Sequence, residues 1–142
     1  MCGLCDYSEL LKSADLEVNP NRLRILEILG ANNYPLSVND IFTTLERNDP
    51  VNRTTVYRIL DLLVDAGLVE RLSTGGRSFY YGLAPNHHHR FHAHFYCREC
   101  GQMECLSPDA ISIDMSHLKR TFSGRIDKLE IRIDGVCKNC MK

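Results

Sequence analysis

Between His87 and Leu106 the chain reads HHHRFHAHFYCRECGQMECL, five histidines and three cysteines within twenty residues. Imidazole nitrogen and thiolate sulfur are the donors that zinc prefers, and a tetrahedral ion takes about four of them. The stretch therefore holds more donors than one ion needs. Part of the surplus is explained further along. Cys97-Arg98-Glu99-Cys100 and Cys137-Lys138-Asn139-Cys140 are two CxxC pairs with 36 residues between them. A CxxC turn points both thiolates to one side, and two such turns brought together complete a tetrahedron. Gly101, directly after the first pair, suits a tight knuckle. A lone CxxC can be redox-active, but two of them without a thioredoxin-like context predict a four-cysteine zinc site. Four protein ligands leave no open position, so this site is expected to be structural.

His92, His94 and Cys105 remain, together with the run His87-His88-His89. In FHAHFYC the apolar residues Phe91, Ala93 and Phe95 alternate with His92, His94 and Tyr96, a period of two that puts both histidines on one face of a strand. QMECL reads as the strand returning beyond the knuckle. With a tight turn between them, His94 comes opposite Cys105, where Cβ atoms stand about 5 Å apart. That arrangement predicts a second metal site. The alternative is a pair of solvated histidines on a wet sheet face and a small buried cysteine. The run His87–His89 is open to three readings: solvated linker, loose metal scavenger, or source of a completing ligand. Cys2-Gly-Leu-Cys5 is a third CxxC at a terminus, where order is commonly lost.

These donors need elements to hold them. The chain has 142 residues, enough for one domain or two small ones, and 44% hydrophobic residues, enough for a core. No apolar run approaches the ~18 residues of a membrane span, and the N-terminus lacks a secretory pattern. The expected location is the cytoplasm, away from membranes, with the cysteines reduced or metal-bound. The net charge is −1, and residues 1–85 carry eight Lys+Arg against eleven Asp+Glu. DNA binding by this half would rest on local arginines and not on a basic tail.

The sequence changes character around Gly82, Pro85 and Asn86. Domain boundaries are expected at 1–83, with a linker over 84–90 and a second domain over 91–142. In the first domain a short helix carries Leu10, Leu11 and Ala14. Pro20 opens a second helix, with Leu23, Leu26 and Leu29 on one face and Gly30 as its stop. Ser37 and Asp40 resemble a capping box before the stripe Val38, Ile41, Phe42, Leu45. Asn48, Asp49 and Pro50 break the chain. Asn52 caps a helix whose apolar positions are Val56, Ile59, Leu60, Leu63 and Val64, and Gly67 ends it. LVERL and RSFYYGL then form a hairpin around Thr74-Gly75-Gly76. Helix, turn, helix and hairpin in this order predict a winged helix-turn-helix. Arg53, Thr54, Thr55, Tyr57 and Arg58 lie at the N-terminal end of the last helix, the end that enters the major groove in such domains. The alternative is an ordinary solvated helix surface, since Asp61 and Asp65 follow on the same helix.

RLRILEIL, TTVYRILDLLVDAGLVE, HAHFYCRECGQMECL and the final CKNC together resemble the ferric uptake regulator family of metal-dependent repressors, over nearly the whole chain. The resemblance implies an α+β fold: an N-terminal winged helix-turn-helix domain plus a C-terminal α/β dimerisation domain. It implies a homodimer that binds an AT-rich inverted repeat in double-stranded DNA when loaded with a regulatory divalent metal. Tyr57 and Arg58 fall on the family's DNA contacts, Cys97, Cys100, Cys137 and Cys140 on its structural zinc ligands, and His92 and His94 on its paired regulatory histidines. Departures are equally specific. A histidine is often found where this chain has Pro35, and a wing-end carboxylate or cysteine where it has Gly82. The acid after the knuckle is replaced by Cys105, and a further site finds Ser112 and Leu129. A fourth regulatory ligand is expected from His87, His88 or His89. Two histidines and a thiolate favour zinc over iron(II) or manganese(II), which points to the zinc uptake branch. The rival readings are an iron or manganese sensor of the same family and, in a different class, a cytosolic metal-storage or trafficking protein. An enzyme is not expected, since no nucleophile or general base stands beside an open metal site.

Overall fold

The structure, a computed structural model, describes residues 6–32, 34–47, 51–85 and 90–141. The expected chain break at 48–50, Asn86, the histidine run at 87–89 and the Cys2/Cys5 pair lie outside these residues. The chain divides into two compact units, Met1–Arg90 and Phe91–Lys142.

The first unit is built on α1 (Tyr7–Ser13), α2 (Pro20–Ala31), α3 (Val38–Glu46) and α4 (Arg53–Asp65). Their ends are set by the sequence. Asn19 caps α2 ahead of Pro20, and Asn52 caps α4 by accepting from the Thr55 amide at 2.8 Å. Ser37 and Asp40 cap α3 reciprocally, so two otherwise orphaned amides are satisfied. Gly67 follows α4 at φ +78°, a left-handed stop that a side chain would resist. The apolar stripes converge on one core, with Leu11, Ile25, Leu26, Ile41, Val56, Leu60 and Leu63 wholly buried. Each contributes about 1.5–3 kcal/mol by leaving water.

Gly30 does not stop α2. The helix runs through Ala31, and Gly30 is buried within it, where an added Cβ would collide with the Tyr7 ring and come within 3.3 Å of Leu83. It is a close-approach glycine, admitting α1 and the wing to the helix surface.

β2 (Val69–Ser73) and β3 (Phe79–Leu83) form the expected antiparallel hairpin. A two-residue strand, β1 (Leu36–Ser37), adds to it in the order β1-β3-β2. Helix-turn-helix and hairpin make this a winged helix-turn-helix unit.

The second unit holds β4 (His94–Cys97), β5 (Met103–Cys105), α5 (Met115–Thr121) and β6 (Arg132–Gly135). β4 lies in the middle, antiparallel to β5 and parallel to β6. The expected strand over FHAHFYC is shorter than its alternation suggests: it begins at His94, with His92 just before it. Among the described residues only Ala93, His94, Cys97, Met103 and Cys137 are buried here, and α5 buries none. Ile113, Leu118, Phe122, Ile133 and Met141 are exposed. So thin a core is marginal without further support. The fold class is α+β.

Candidate metal centres and nucleic-acid interface

Both cysteine pairs sit on knuckles. Gly101, at φ +77°, lets the chain turn so that its amide reaches the Cys97 carbonyl at 2.8 Å. At the second pair, the Cys140 and Met141 amides both donate to the Cys137 carbonyl, at 3.1 and 3.0 Å. The parallel β4–β6 pairing, with Cys97 level with Gly135, brings the two knuckles together. The sulfurs of Cys97, Cys100, Cys137 and Cys140 all lie within 4.8 Å of one another. Cys100 Sγ is 3.8 Å from Cys137 Sγ, and the Cys137 amide points at Cys97 Sγ at 3.3 Å.

The electrostatics of this cluster ask for a cation. Backbone amides, first that of Cys100 and then that of Cys137, draw the Cys97 thiol down to about 6. The Cys137 side chain and then burial push Cys140 up to about 12. One thiolate is stabilised while Cys140 is driven to keep its proton, by hydrogen bonding with the neighbouring thiols and by burial. A divalent ion removes that conflict, and it binds thiolates in preference to thiols. The donor set fits zinc.

The second donor group is separate. His94 is level with Cys105 across the antiparallel pair, as a tight knuckle requires, and the ladder continues with the Leu106 amide donating to the Ala93 carbonyl at 3.0 Å. The His92 and His94 rings lie 4.7 Å apart between centroids. Donor atoms of His92, His94 and Cys105 fall within 4.8 Å of one another. His94 is only 4% exposed and His92 is half-buried, so His94 is not on a wet sheet face. Burial, and then the charge of His92, push its pKa down to about 4, with Glu130 opposing the shift. The imidazole is therefore neutral at pH 7, with a lone pair that no proton occupies. Cys105 is exposed and within reach of an arriving ion. Pro35 and Gly82, which stand where the family often has donors, bring none.

On α4, Thr54, Tyr57 and Arg58 are exposed, and Tyr57 is 45% accessible despite its aromatic ring. Arg53 is exposed too, and it is steadied from α3. Its guanidinium stacks on Phe42 at 4.6 Å and donates to Asn39 Oδ1 at 3.3 Å, both on α3. Thr55 is half-buried, with its amide held by the Asn52 cap. Asp61, the acid that spoils this face in the sequence, is neutralised: Arg71 Nη2 from β2 lies 2.7 Å from its carboxylate. Arg71 in turn lies over the rings of Phe79 and Tyr81, at 5.3 and 5.9 Å. Neither Arg71 nor its partnership with Asp61 carried any signal in the linear pattern, because the two sit on different elements.

Among the described residues no helix is long and apolar enough to cross a membrane. Comparison with known proteins places the chain. Residues 13–132 match the ferric uptake regulator family. The ferric uptake regulation protein of Klebsiella pneumoniae is 30% identical over 136 residues, covering 94% of this chain and 86% of that protein. The crystal structure of the Vibrio cholerae ferric uptake regulator superposes with a TM-score of 0.73 at 27% identity, over 93% of this chain and 100% of that one. A zinc uptake regulator complexed with zinc and DNA shares the fold with a TM-score of 0.64 at 22% identity, over 94% and 89% of the two chains. The chain belongs to the ferric uptake regulator family, whose members are metal-responsive transcriptional regulators that bind DNA and form dimers.

Proposed function

We propose that the protein is a zinc-sensing repressor of metal-uptake genes, acting in the cytoplasm as a homodimer on AT-rich inverted repeats in double-stranded DNA. The observation that carries the zinc reading is the donor set His92, His94 and Cys105, gathered on neighbouring strands apart from the four-cysteine cluster. Two nitrogens and a thiolate suit zinc better than iron(II) or manganese(II), which prefer more oxygen.

In this reading Cys97, Cys100, Cys137 and Cys140 hold a structural zinc. His92, His94 and Cys105 form the regulatory site with one of His87, His88 and His89 from the expected linker over 84–90. The division of labour follows the expected domains, a DNA-binding domain over 1–83 and a dimerisation domain over 91–142. What a bound ion supplies is a cross-link between linker and strands, which favours one arrangement of the DNA-binding domains over others. A ligand shifts such an equilibrium only through its difference in affinity between the arrangements. The linker histidine provides that difference, since the other donors belong to one unit. Arg53, Thr54, Thr55, Tyr57 and Arg58 meet the DNA, with Arg53 steadied on Phe42 and Asn39.

The relatives' names favour iron as the rival metal. Titrating binding to DNA selected from a random pool against buffered free zinc, iron(II) and manganese(II) decides between them. Activation at a lower free concentration of iron or manganese than of zinc defeats the zinc reading. Metal-independent DNA binding, or none, turns it toward metal storage or trafficking.

A further inference from the structure

The sheet of the second unit runs in the order β5-β4-β6, so β6 is an outer strand, and among the described residues no strand lies beyond it. An outer strand offers a row of backbone donors and acceptors to another chain. Which of them face outward is fixed by the pairing with β4. The carbonyls of Ile131 and Gly135 accept from the His94 and Arg98 amides at 3.0 and 2.9 Å. Peptide groups alternate in direction along a strand, so Ile133 also faces β4, while Arg132 and Asp134 turn theirs to the outer edge.

The side chains follow the same alternation. Arg132 Nε and Nη2 fork onto the two carboxylate oxygens of Asp134, at 2.6 and 3.1 Å. That pair stands on one face of the strand and Ile133, 40% exposed, on the other. Arg-Ile-Asp is therefore its own complement. Laid antiparallel against a second copy with Ile133 on the twofold axis, Arg132 comes opposite the partner's Asp134, and Asp134 opposite the partner's Arg132. These are the residues whose peptide groups face outward, so both pairs close backbone hydrogen bonds. Ile133 meets its own copy on the axis, where Cβ atoms approach to about 5 Å. Other registers fail. An axis at Arg132 sets arginine against arginine and Asp134 against Glu130. An axis at Asp134 sets aspartate against aspartate. An axis at Ile131 needs an extended chain from Lys128, whereas β6 begins at Arg132. An axis between two residues sets outward peptide groups against inward ones.

We propose that β6 docks on β6 of a second copy in this one register, and that the alternating quartet of Arg132 and Asp134 from both chains selects the like chain as partner. The proposal rests on reading the protein as a homodimer, and it names the edge and the charges by which copies recognise one another. A strand pair four residues long is small for a stable interface. Leu118 and Phe122 are exposed on α5, a helix that buries none of its residues, and are apolar surface that a second copy can add to it. Partner choice then lies in two charges, and a related chain with another pattern at these positions is refused.

The test uses the full-length protein with its four-cysteine site loaded with zinc. Sedimentation velocity over a dilution series gives the dimer affinity, and zinc content with circular dichroism controls for folding. Arg132→Asp and Asp134→Arg should each weaken the dimer about tenfold or more, because attractive cross-strand pairs become repulsive. Mixing the two variants should give a heterodimer about tenfold or more tighter than either homodimer. Carrying both substitutions in one chain should return the homodimer to near wild-type strength. In the wild type, amide exchange at Arg132 and Asp134 should be slow in the dimer and quicken on dilution to monomer. Single variants that dimerise like the wild type overturn the register. Losses that neither mixing nor the double substitution recovers also overturn it, since the two residues then act within one chain. Fast exchange at both amides in an intact dimer removes this edge and leaves the homodimer standing. A zinc-loaded wild type that sediments as a monomer throughout removes the homodimer and the inference with it.

Discussion

Neutralising Asp61 and losing Arg71 should change DNA affinity in opposite directions. Arg71 reaches from β2 to Asp61 on α4 at 2.7 Å, with side chains 34% and 61% exposed. So exposed a pair stabilises the fold by only ~0.2–1 kcal/mol. Stacking of Arg71 over Phe79 and Tyr81 adds about 0.5–1 kcal/mol. Arg71→Met should therefore cost about 1–2 kcal/mol of stability, and Asp61→Asn less than about 1 kcal/mol; neither should unfold the protein. Their effects at the DNA come from charge. Arg71→Met leaves the Asp61 carboxylate without its arginine one helical turn beyond Arg58, on the helix proposed to meet the DNA. A unit charge about 8 Å from a phosphate interacts by about 0.5 kcal/mol in water before screening. Two or three phosphates within a Debye length of about 8 Å bring the total to about 0.5–1 kcal/mol. Arg71→Met should thus weaken binding about two- to fivefold at physiological salt. Asp61→Asn removes the carboxylate and leaves the Arg71 charge in place over its rings, and should strengthen binding by a similar factor. The salt dependence of log affinity should move with them, shallower by about 0.9 for Arg71→Met and steeper by about 0.9 for Asp61→Asn.

The assay is fluorescence anisotropy with a metal-saturated protein over a salt series, with urea unfolding of each variant as the control for stability. If both variants bind more weakly with unchanged salt slopes, the pair acts by holding the wing against the helix, and the electrostatic reasoning is wrong.

Arg58→Ala should weaken DNA binding by about 1–3 kcal/mol and relax preference at one base if it reads a base, or reduce affinity evenly with a shallower salt slope if it grips phosphate; unchanged affinity in both Arg58→Ala and Tyr57→Ala would misplace the recognition helix. Cys140→Ser should release the structural zinc and unfold or monomerise the second unit, because binding energy at such a site is folding energy; sedimentation and zinc analysis check this, and a stable zinc-loaded dimer refutes it. With the second site free of metal, burial holds the His94 pKa down at about 4 against an ordinary 6.5, so the unfolded chain binds a proton that the folded one refuses between those values. Stability should be complete above pH 6.5 and fall, on the order of 3 kcal/mol in all, as pH drops toward 4; urea midpoints across that range should lose this dependence in His94→Gln. Cys105→Ser should keep the fold, the dimer and the structural zinc yet lose metal-dependent DNA binding, whereas a wild-type response identifies Cys105 as an ordinary exposed thiol.

What the sequence discloses is what local physics decides. The caps Ser37 and Asn52, the stop at Gly67 and the apolar stripes of α3 and α4 are all read within one or two helical turns, and each falls where the periodicity put it. The pairing of His94 with Cys105 was legible because a tight knuckle leaves one register. Gly30 was misread as a helix stop because nothing near it records that Tyr7 will pack against its bare Cα. β1 is too short for a periodic signal, and α5 lacks a buried face to mark it. Arg53 is a candidate DNA contact from its place on the helix, but its neighbours on α3 were not legible. Its engagement with Phe42 and Asn39 depends on the angle between two helices.

The placement of β6 matters most for function, and it is the least local feature of the fold. Bringing it parallel to β4 is what unites the two cysteine knuckles, and the same pairing flanks His94 with Arg132. The two metal sites therefore share one structural cause. Losing the structural zinc should loosen β6, so the regulatory site should lose the strand that flanks His94. The reverse does not hold, because Cys105 and His92 lie at strand ends away from the knuckles. Stripping the regulatory metal should leave the four-cysteine site intact, whereas stripping the structural zinc should abolish both. This asymmetry is what a sensor requires: one ion builds the sheet and stays, and the other comes and goes with its concentration. Two chelation steps followed by metal counting and cobalt titration measure it. Retention of wild-type cobalt affinity at the regulatory site after complete loss of the structural zinc would show that β6 is held by something other than the knuckles.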